Sequence, residues 1–268
     1  MRLTLLGTGN ASQVPVYNCS CPACTRARSQ AGYARGPCCA LLECGPVRWL
    51  VDAGLVDLTR RFAPGSLDGI LLTHYHADHA QGLLHLRWGV GLRIPVLAPF
   101  DPEGLADLHK HPGILDFSTV MQPLQPVQLG PLRVTPIPLA HSRPTLGYLL
   151  EHGGQRIAYL TDTSGLPRDS LSALGDAALD MLVLDCTHPP SGRPPRNHND
   201  LSLALATVRA LRPRATILTH ISHDLDAWLM REPDAQAVLP DDVTIGRDGD
   251  ILECASQPCP DREKPACP

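Results

Sequence analysis

Residues 72–82 read LTHYHADHAQG, which places His74, His76, Asp78 and His79 within six positions of one another, directly after the apolar run Gly69-Ile70-Leu71-Leu72. This stretch limits the possible folds more than any other. A strand has to end near Thr73 and the chain has to turn into a helix near Asp78. His74 and His76, two apart, then share one face of the extended exit, and Asp78 and His79 fall at the turn. Two pairs of ligand-type side chains point into one space. Histidine with carboxylate suits zinc, manganese or iron, and two such half-sites side by side are what a dinuclear hydrolase needs. A histidine-rich surface turn is the plain alternative, and the H-x-H-x-D-H order disfavours it.

Further ligands must come from elsewhere, and three candidates each follow an expected strand: His141 after Val134–Leu139, Asp162 after Ile157–Thr161, and His220 after Thr216–Thr219. Loops at strand ends let several strands each deliver one side chain to a single cleft. Aliphatic runs bounded by Gly, Pro and polar residues predict strands at 2–6, 40–44, 48–52, 69–73, 94–97, 132–137, 146–151, 156–160, 181–185, 215–219, 242–245 and 249–252. Helices are expected at 78–88, 102–110, 167–174 and 200–211, the last capped by Asn199-Asp200 and ended by Pro213. Many strands with interspersed helices predict an α/β fold of two sheets between helical layers.

With 43% hydrophobic residues, 268 positions suffice for a full core, and residues 1–253 read as one domain. A net charge of −4 gives no global bias toward nucleic acid or an anionic membrane. The N-terminal apolar stretch is too short for a signal, and no run of 18 apolar residues occurs, so a soluble, cytoplasmic protein is expected. Ten cysteines in such a compartment read as metal ligands or small core residues, not disulfides. Cys39, Cys44 and Cys186 sit in strand-like runs and belong to the core. Cys19, Cys21 and Cys24 form C-x-C-x-x-C, one ligand short of a tetrahedral zinc site. His223, three residues beyond His220, is the expected fourth, and a structural zinc there would pin the loop that aims His220. The tail 254–268 mixes Cys, Pro and charge without periodicity and is expected to be disordered.

The order H-x-H-x-D-H, then a lone His, a lone Asp and a last His, resembles the metallo-β-lactamase superfamily over most of the chain. That resemblance implies an αβ/βα sandwich of two mixed β-sheets flanked by helices, with the site at one edge of both sheets. It assigns His74, His76 and His141 to one metal, Asp78, His79 and His220 to the other, and Asp162 as the bridging carboxylate. The opening LTLLGTGNASQVP is similar to the phosphodiesterase branch that includes the tRNA 3′-processing nucleases. With CSCPAC, DAGLVDL, KHPGILDFS, LTDTSGLP, DCTHPP, RNHNDL and LTHISHDLDAWLM beside the ligand motif, the chain resembles more specifically the phosphoribosyl cyclic phosphodiesterases of the carbon–phosphorus lyase pathway. The likeness implies hydrolysis of 5-phosphoribosyl 1,2-cyclic phosphate to ribose 1,5-bisphosphate in phosphonate catabolism. It also implies two manganese ions, or another divalent metal, at the catalytic pair, one structural zinc, and the homodimer that related proteins form.

In such a reaction Asp78 counts with the catalytic residues, and the leaving oxygen needs a proton. His198, in RPPRNHNDL before a helix, is the candidate general acid, since a loop imidazole titrates near neutrality. Arg143 beside His141 and Arg196 near His198 are candidate donors to the 5-phosphate. His188 is a candidate pocket residue. The expected partner is a small phosphorylated sugar, with neither nucleic acid nor membrane. The alternatives are a pyrroloquinoline quinone biosynthesis-type protein, a tRNA 3′-processing-like nuclease, a glyoxalase-type thioesterase and a non-catalytic metal-binding protein. The nuclease should carry a basic, Gly-rich arm that is not visible, and the thioesterase would leave the Cys/His cluster unexplained.

Overall fold

Strands form where aliphatic runs can be buried on both faces, and the chain has enough of them for two sheets. A computed structural model of the chain describes residues 1–193, 195–232 and 239–253. The expected tail at 254–268 lies outside these residues. In chain order the elements are β1 (Arg2–Gly7), α1 (Pro22–Ser29), β2 (Cys39–Cys44), β3 (Val47–Val51), α2 (Leu58–Arg61), β4 (Gly69–Leu71), α3 (Ala77–Ala80) and α4 (Leu83–Leu86). There follow β5 (Ile94–Pro99), α5 (Ala106–Lys110), β6 (Leu115–Asp116), β7 (Val120–Met121), β8 (Val127–Leu129), β9 (Leu132–Pro138), β10 (Leu146–His152) and β11 (Gln155–Leu160). The last are α6 (Arg168–Gly175), β12 (Met181–Asp185), α7 (Leu201–Leu211), β13 (Thr216–Thr219), α8 (His223–Arg231), β14 (Val243–Ile245) and β15 (Ile251–Glu253).

The first sheet runs β15-β1-β2-β3-β4-β5-β6, with β7 also paired to β5, and the second runs β14-β13-β12-β11-β10-β9-β8. Both are mixed. β3, β4 and β5 are parallel, as are β11, β12, β13 and β14, and the hairpin strands are antiparallel. The period-2 alternation of strands sorts their side chains into layers. Leu3, Leu5, Leu42 and Val51 meet Tyr148, Leu150, Ile157, Tyr159 and Val183 between the sheets. The alternate residues Leu149, Ala158, Leu160, Leu182 and Leu184 pack under α6 and α7 with Leu174, Ala204, Leu205 and Val208. Leu41, Leu50, Ile70 and Val96 pack with Leu58, Ala80, Leu83 and Leu108 on the other outer face. These layers make the αβ/βα sandwich expected from the sequence. No described helix is long and apolar enough to cross a membrane.

Several elements differ from expectation for local reasons. The helix expected at 78–88 is two short ones, broken at Gly82, where a Cβ would meet the Leu55 carbonyl oxygen at 2.2 Å. The helix expected at 102–110 shrinks to α5, because the Asp101 carboxylate takes the amides of Glu103 and Gly104 at 2.9 and 3.2 Å and Gly104 turns left-handed. Three helices were not expected, the four-residue α2 among them. α1 starts at Pro22 with Cys21 as its cap, and α8 starts after Ser222, whose hydroxyl accepts from the Leu225 amide at 3.2 Å.

Candidate metal centre

The ends of β3, β4, β11 and β13 lie side by side across the two sheets, so the loops that follow them share one edge of the sandwich. Asp52, Asp162 and His220, just past β3, β11 and β13, all adopt left-handed φ values of 60–65°. Such backbone is rare outside glycine and here turns each side chain back toward the edge.

Seven of the expected residues converge there in two groups. His74, His76, His141 and Asp162 form one, and Asp78, His79, Asp162 and His220 the other, with the donor atoms of each group within 4.8 Å of one another. Asp162 belongs to both. Its Oδ2 lies 3.6 and 3.7 Å from Nε2 of His74 and His141, while its Oδ1 lies 3.2 and 3.4 Å from Nε2 of His79 and His220. Asp78 Oδ2 faces the second group, 3.4 Å from His79 Nε2 and 3.6 Å from His220 Nε2. Among the described residues, the Nε2 atoms of His79 and His220 are buried without a hydrogen-bond partner. In the first group the His76 ring nitrogen Nδ1 stands 2.9 Å from His74 Nε2 and 3.0 Å from His141 Nε2. About 3 Å is the span of two nitrogens held near 2.1 Å from a shared cation at right angles. Buried nitrogens and carboxylates that face each other and not a proton donor suit divalent metal, so the donor set fits the group.

Four of the ligand histidines are aimed from behind by residues that the sequence analysis did not single out. Asp52, fully buried, accepts from His79 Nδ1 at 2.7 Å and from the amide and hydroxyl of Thr73, and the Thr73 hydroxyl in turn meets His74 Nδ1 at 3.0 Å. The Thr187 hydroxyl meets His220 Nδ1 at 2.8 Å and donates to Asp185 Oδ1 at 2.8 Å. His141 Nδ1 faces the Asn197 carbonyl at 3.0 Å. These contacts fix the tautomers so that the opposite ring nitrogens are free to ligate. Gly54 lets the loop after β3 press on the turn, since a Cβ there would meet the Asp78 carbonyl at 1.7 Å.

The charges follow the same division. Burial, with the neighbouring His79, keeps His74 well below the ordinary histidine pKa, and burial with His141 lowers His76, so both hold the neutral form that ligates. Burial also opposes the imidazolium of His79, but the charges of Asp162 and Asp52 outweigh it and raise its pKa. A cation at this half therefore displaces a proton.

His198 stands over the centre. Its Nδ1 is 2.9 Å from Asp185 Oδ2 and 3.9 Å from Asp162 Oδ2, and its ring stacks on His220 at 4.7 Å and lies 5.1 Å from His141. Burial lowers its pKa, and the Asp185 hydrogen bond and charge with Asp162 more than restore it, leaving it above the ordinary value. His188 is half-buried with its ring 6.2 Å from that of His198. Arg196 is exposed and, among the described residues, has no ion pair. Arg143 differs: its guanidinium is turned onto Asp101, with Nε at 2.8 Å and Nη2 at 2.7 Å.

The cysteine cluster assembles as expected. Sγ of Cys19 and of Cys21 each lie 3.5 Å from His223 Nδ1, and Cys24 completes the group. A sulfur and a nitrogen sharing a tetrahedral zinc at about 2.3 and 2.0 Å should stand about 3.5 Å apart, so this donor set fits zinc. α1 carries Cys24 and α8 carries His223, and the cluster thus ties α1 to the chain that leaves His220. Burial pushes the Cys24 thiol up to about 11 in the metal-free protein. Cys39, Cys44 and Cys186 are buried core residues.

The two sheets of this αβ/βα sandwich meet at a cluster of histidines and aspartates whose donors fit divalent metal, which defines a metal-centre fold. The model of the β-lactamase superfamily domain matches residues 47–221, and the chain belongs to the metallo-β-lactamase superfamily. Within it the chain resembles the PhnP family: a solved diphosphatase of that family is 27% identical, superimposes with a TM-score of 0.77, and is matched over 94% of this chain and 97% of its own. A relative described as an octanoyltransferase, from Porphyromonas gingivalis, is 29% identical over 93% of this chain, which spans about half of that relative (51%). Coenzyme PQQ synthesis protein B from Methylobacterium radiotolerans is 27% identical over 70% of this chain and 73% of its own.

Proposed function

We propose that the chain is a dinuclear phosphodiesterase of the PhnP type, which opens 5-phosphoribosyl 1,2-cyclic phosphate to ribose 1,5-bisphosphate as part of phosphonate catabolism. The observation that carries this reading is the division of the Asp162 carboxylate, one oxygen toward each histidine group, under an imidazole that is not itself in either group. His74, His76, His141 and Asp162 would hold one cation and Asp78, His79, Asp162 and His220 the other, with manganese the metal the family likeness implies, and Cys19, Cys21, Cys24 and His223 would hold zinc. When bound, a divalent pair supplies a nucleophile from water and neutralises charge on the phosphoryl oxygens.

The remaining chemistry belongs to the side chains. Asp185 holds His198 by Nδ1, which leaves Nε2 to face the cleft and to give its proton to the leaving 2-oxygen. Asp78, ionised and with its side chain 12% exposed, orients the attacking water while facing His79 and His220. Arg196 is an uncommitted guanidinium on the His198 loop and would take the 5-phosphate, with His188 lining the wall beside it. The partner is accordingly a small phosphorylated sugar.

A pyrroloquinoline quinone biosynthesis role is the second reading, favoured by the match to synthesis protein B over 70% of the chain. Assaying the purified protein against cyclic ribose phosphates and simple diesters separates the two. Ring opening supports the phosphodiesterase, and failure on every diester with the metals in place overturns it.

A further inference from the structure

We infer that Arg143 and Asp101 form a clamp that sets the His141 loop against the backbone between His74 and His76, so that Arg143 is a positioning residue for the first histidine group and not a substrate ligand. Arg143 follows His141 by two residues, in the short connection between β9 and β10. Its Nε and Nη2 lie 2.8 and 2.7 Å from Asp101 Oδ2, its Nη2 donates to the Gly104 carbonyl at 3.1 Å, and its Nη1 reaches the Tyr75 carbonyl at 3.5 Å. Tyr75 is the residue between His74 and His76. The other oxygen of Asp101 accepts the amides of Glu103 and Gly104. One guanidinium thus joins the His141 loop, the loop after β5 and the ligand segment after β4.

The environment makes this junction rigid. The Asp101 side chain is 2% exposed and that of Arg143 17%. A pair so sheltered from water is held firmly, and loss of one partner strands the other's charge. A phosphate-binding arginine would instead present its fork to the open cleft, and here that edge faces Asp101. The two ends of the connection are tied separately, the Ala140 amide donating to the Thr163 hydroxyl at 3.1 Å and the Leu146 amide to the Thr73 carbonyl at 3.0 Å. The clamp therefore governs the middle of the loop, where His141 must keep its Nε2 3.0 Å from His76 Nδ1. Residues that hold metal ligands in place typically alter the metal's affinity by about 10–100-fold, and the clamp does so through the backbone that carries His76 and His141.

The inference rests on the metal-centre reading and not on the identity of the diester, and its primary readout is cation binding by the resting protein. Wild type, Arg143→Gln, Asp101→Asn, the double variant and Arg143→Lys, each treated with EDTA so that the cysteine cluster keeps its zinc, are titrated with cobalt(II), followed by calorimetry and visible absorption, with the thermal midpoint of each EDTA-treated form as a control for folding. The expected result is two strong sites in wild type and one site weakened about 10–100-fold in either single variant. The double variant should be no worse than the singles, because they remove one shared contact. Arg143→Lys should recover part of the affinity, since an ammonium keeps the charge but not the fork. On bis-p-nitrophenyl phosphate, kcat should fall with KM nearly unchanged, and excess metal should restore part of it.

Unchanged cobalt affinities in Asp101→Asn would overturn the clamp. So would an Arg143→Gln variant with normal metal binding whose only defect is a raised KM for diesters carrying a second phosphate, which would make Arg143 a phosphate donor. Wild type that takes up no cation pair would remove the centre and the clamp together, whereas a normal pair without turnover on any diester would spare the clamp and count against the phosphodiesterase alone.

Discussion

Replacing His198 with alanine separates proton donation from metal binding. The imidazole Nδ1 is engaged by Asp185 at 2.9 Å and belongs to neither of the two groups of four donors, so its loss leaves the seven ligands in place and four of the histidines with their own supports: Asp52 behind His79, Thr73 behind His74, Thr187 behind His220 and Asn197 behind His141. Metal content should therefore be retained. A positioned general acid contributes roughly 10²–10⁴ in rate, which corresponds to about 3–5 kcal/mol of barrier. A ribose hydroxyl departs as a poor leaving group and needs that proton, so kcat on the cyclic ribose phosphate should fall by this factor. p-Nitrophenolate leaves without protonation, and the loss on bis-p-nitrophenyl phosphate should be under about tenfold. The assay is steady-state kinetics on both substrates with metals counted on the same samples. Equal losses of kcat on the two substrates would refute proton donation, and a raised KM with unchanged kcat would make His198 a binding residue.

Asp162→Ala removes the carboxylate that, among the described residues, faces both histidine groups, and cation occupancy and diesterase activity should collapse together, which metal analysis and kinetics on one sample will show. Loading the Asp78/His79/His220 half should release a proton from His79, whose pKa is raised in the metal-free protein, so affinity should strengthen as pH rises; calorimetry in buffers of differing ionisation enthalpy reads this directly. Chelation by EDTA should strip the histidine and carboxylate centre while the thiolate cluster keeps its zinc, and a protein in which Cys21→Ala changes neither zinc content nor stability would contradict the second assignment. Tyr148→Phe should cost about 1–3 kcal/mol in urea unfolding, since it strands the buried Leu72 carbonyl, to which the Tyr148 hydroxyl donates at 2.6 Å.

The ligands were legible in the sequence because each stands just past an apolar run, where a strand must end, and because four of them share one short segment. What surrounds them was harder to read. Asp52 and Asp185 close the strand-like runs RWLVD and LVLD, and an acidic residue at a strand end has no spacing that marks it as buried behind a histidine. α8 left a usable sign, a serine followed by two aspartates before an apolar stripe, whereas α1 is capped by a cysteine, which no ordinary helix start resembles. β6, β7 and β8 are two or three residues long at sheet edges, too short to show a period. The fork of Arg143 was unreadable because Asp101 lies 42 residues away and only the fold brings them together.

The account is tested most directly by measuring turnover of 5-phosphoribosyl 1,2-cyclic phosphate and metal content on a single preparation. It predicts ring opening to ribose 1,5-bisphosphate by protein carrying two divalent cations beyond one tightly held zinc, and loss of that turnover when the pair is removed. Protein with the pair in place that leaves this substrate and every other phosphodiester intact would contradict it.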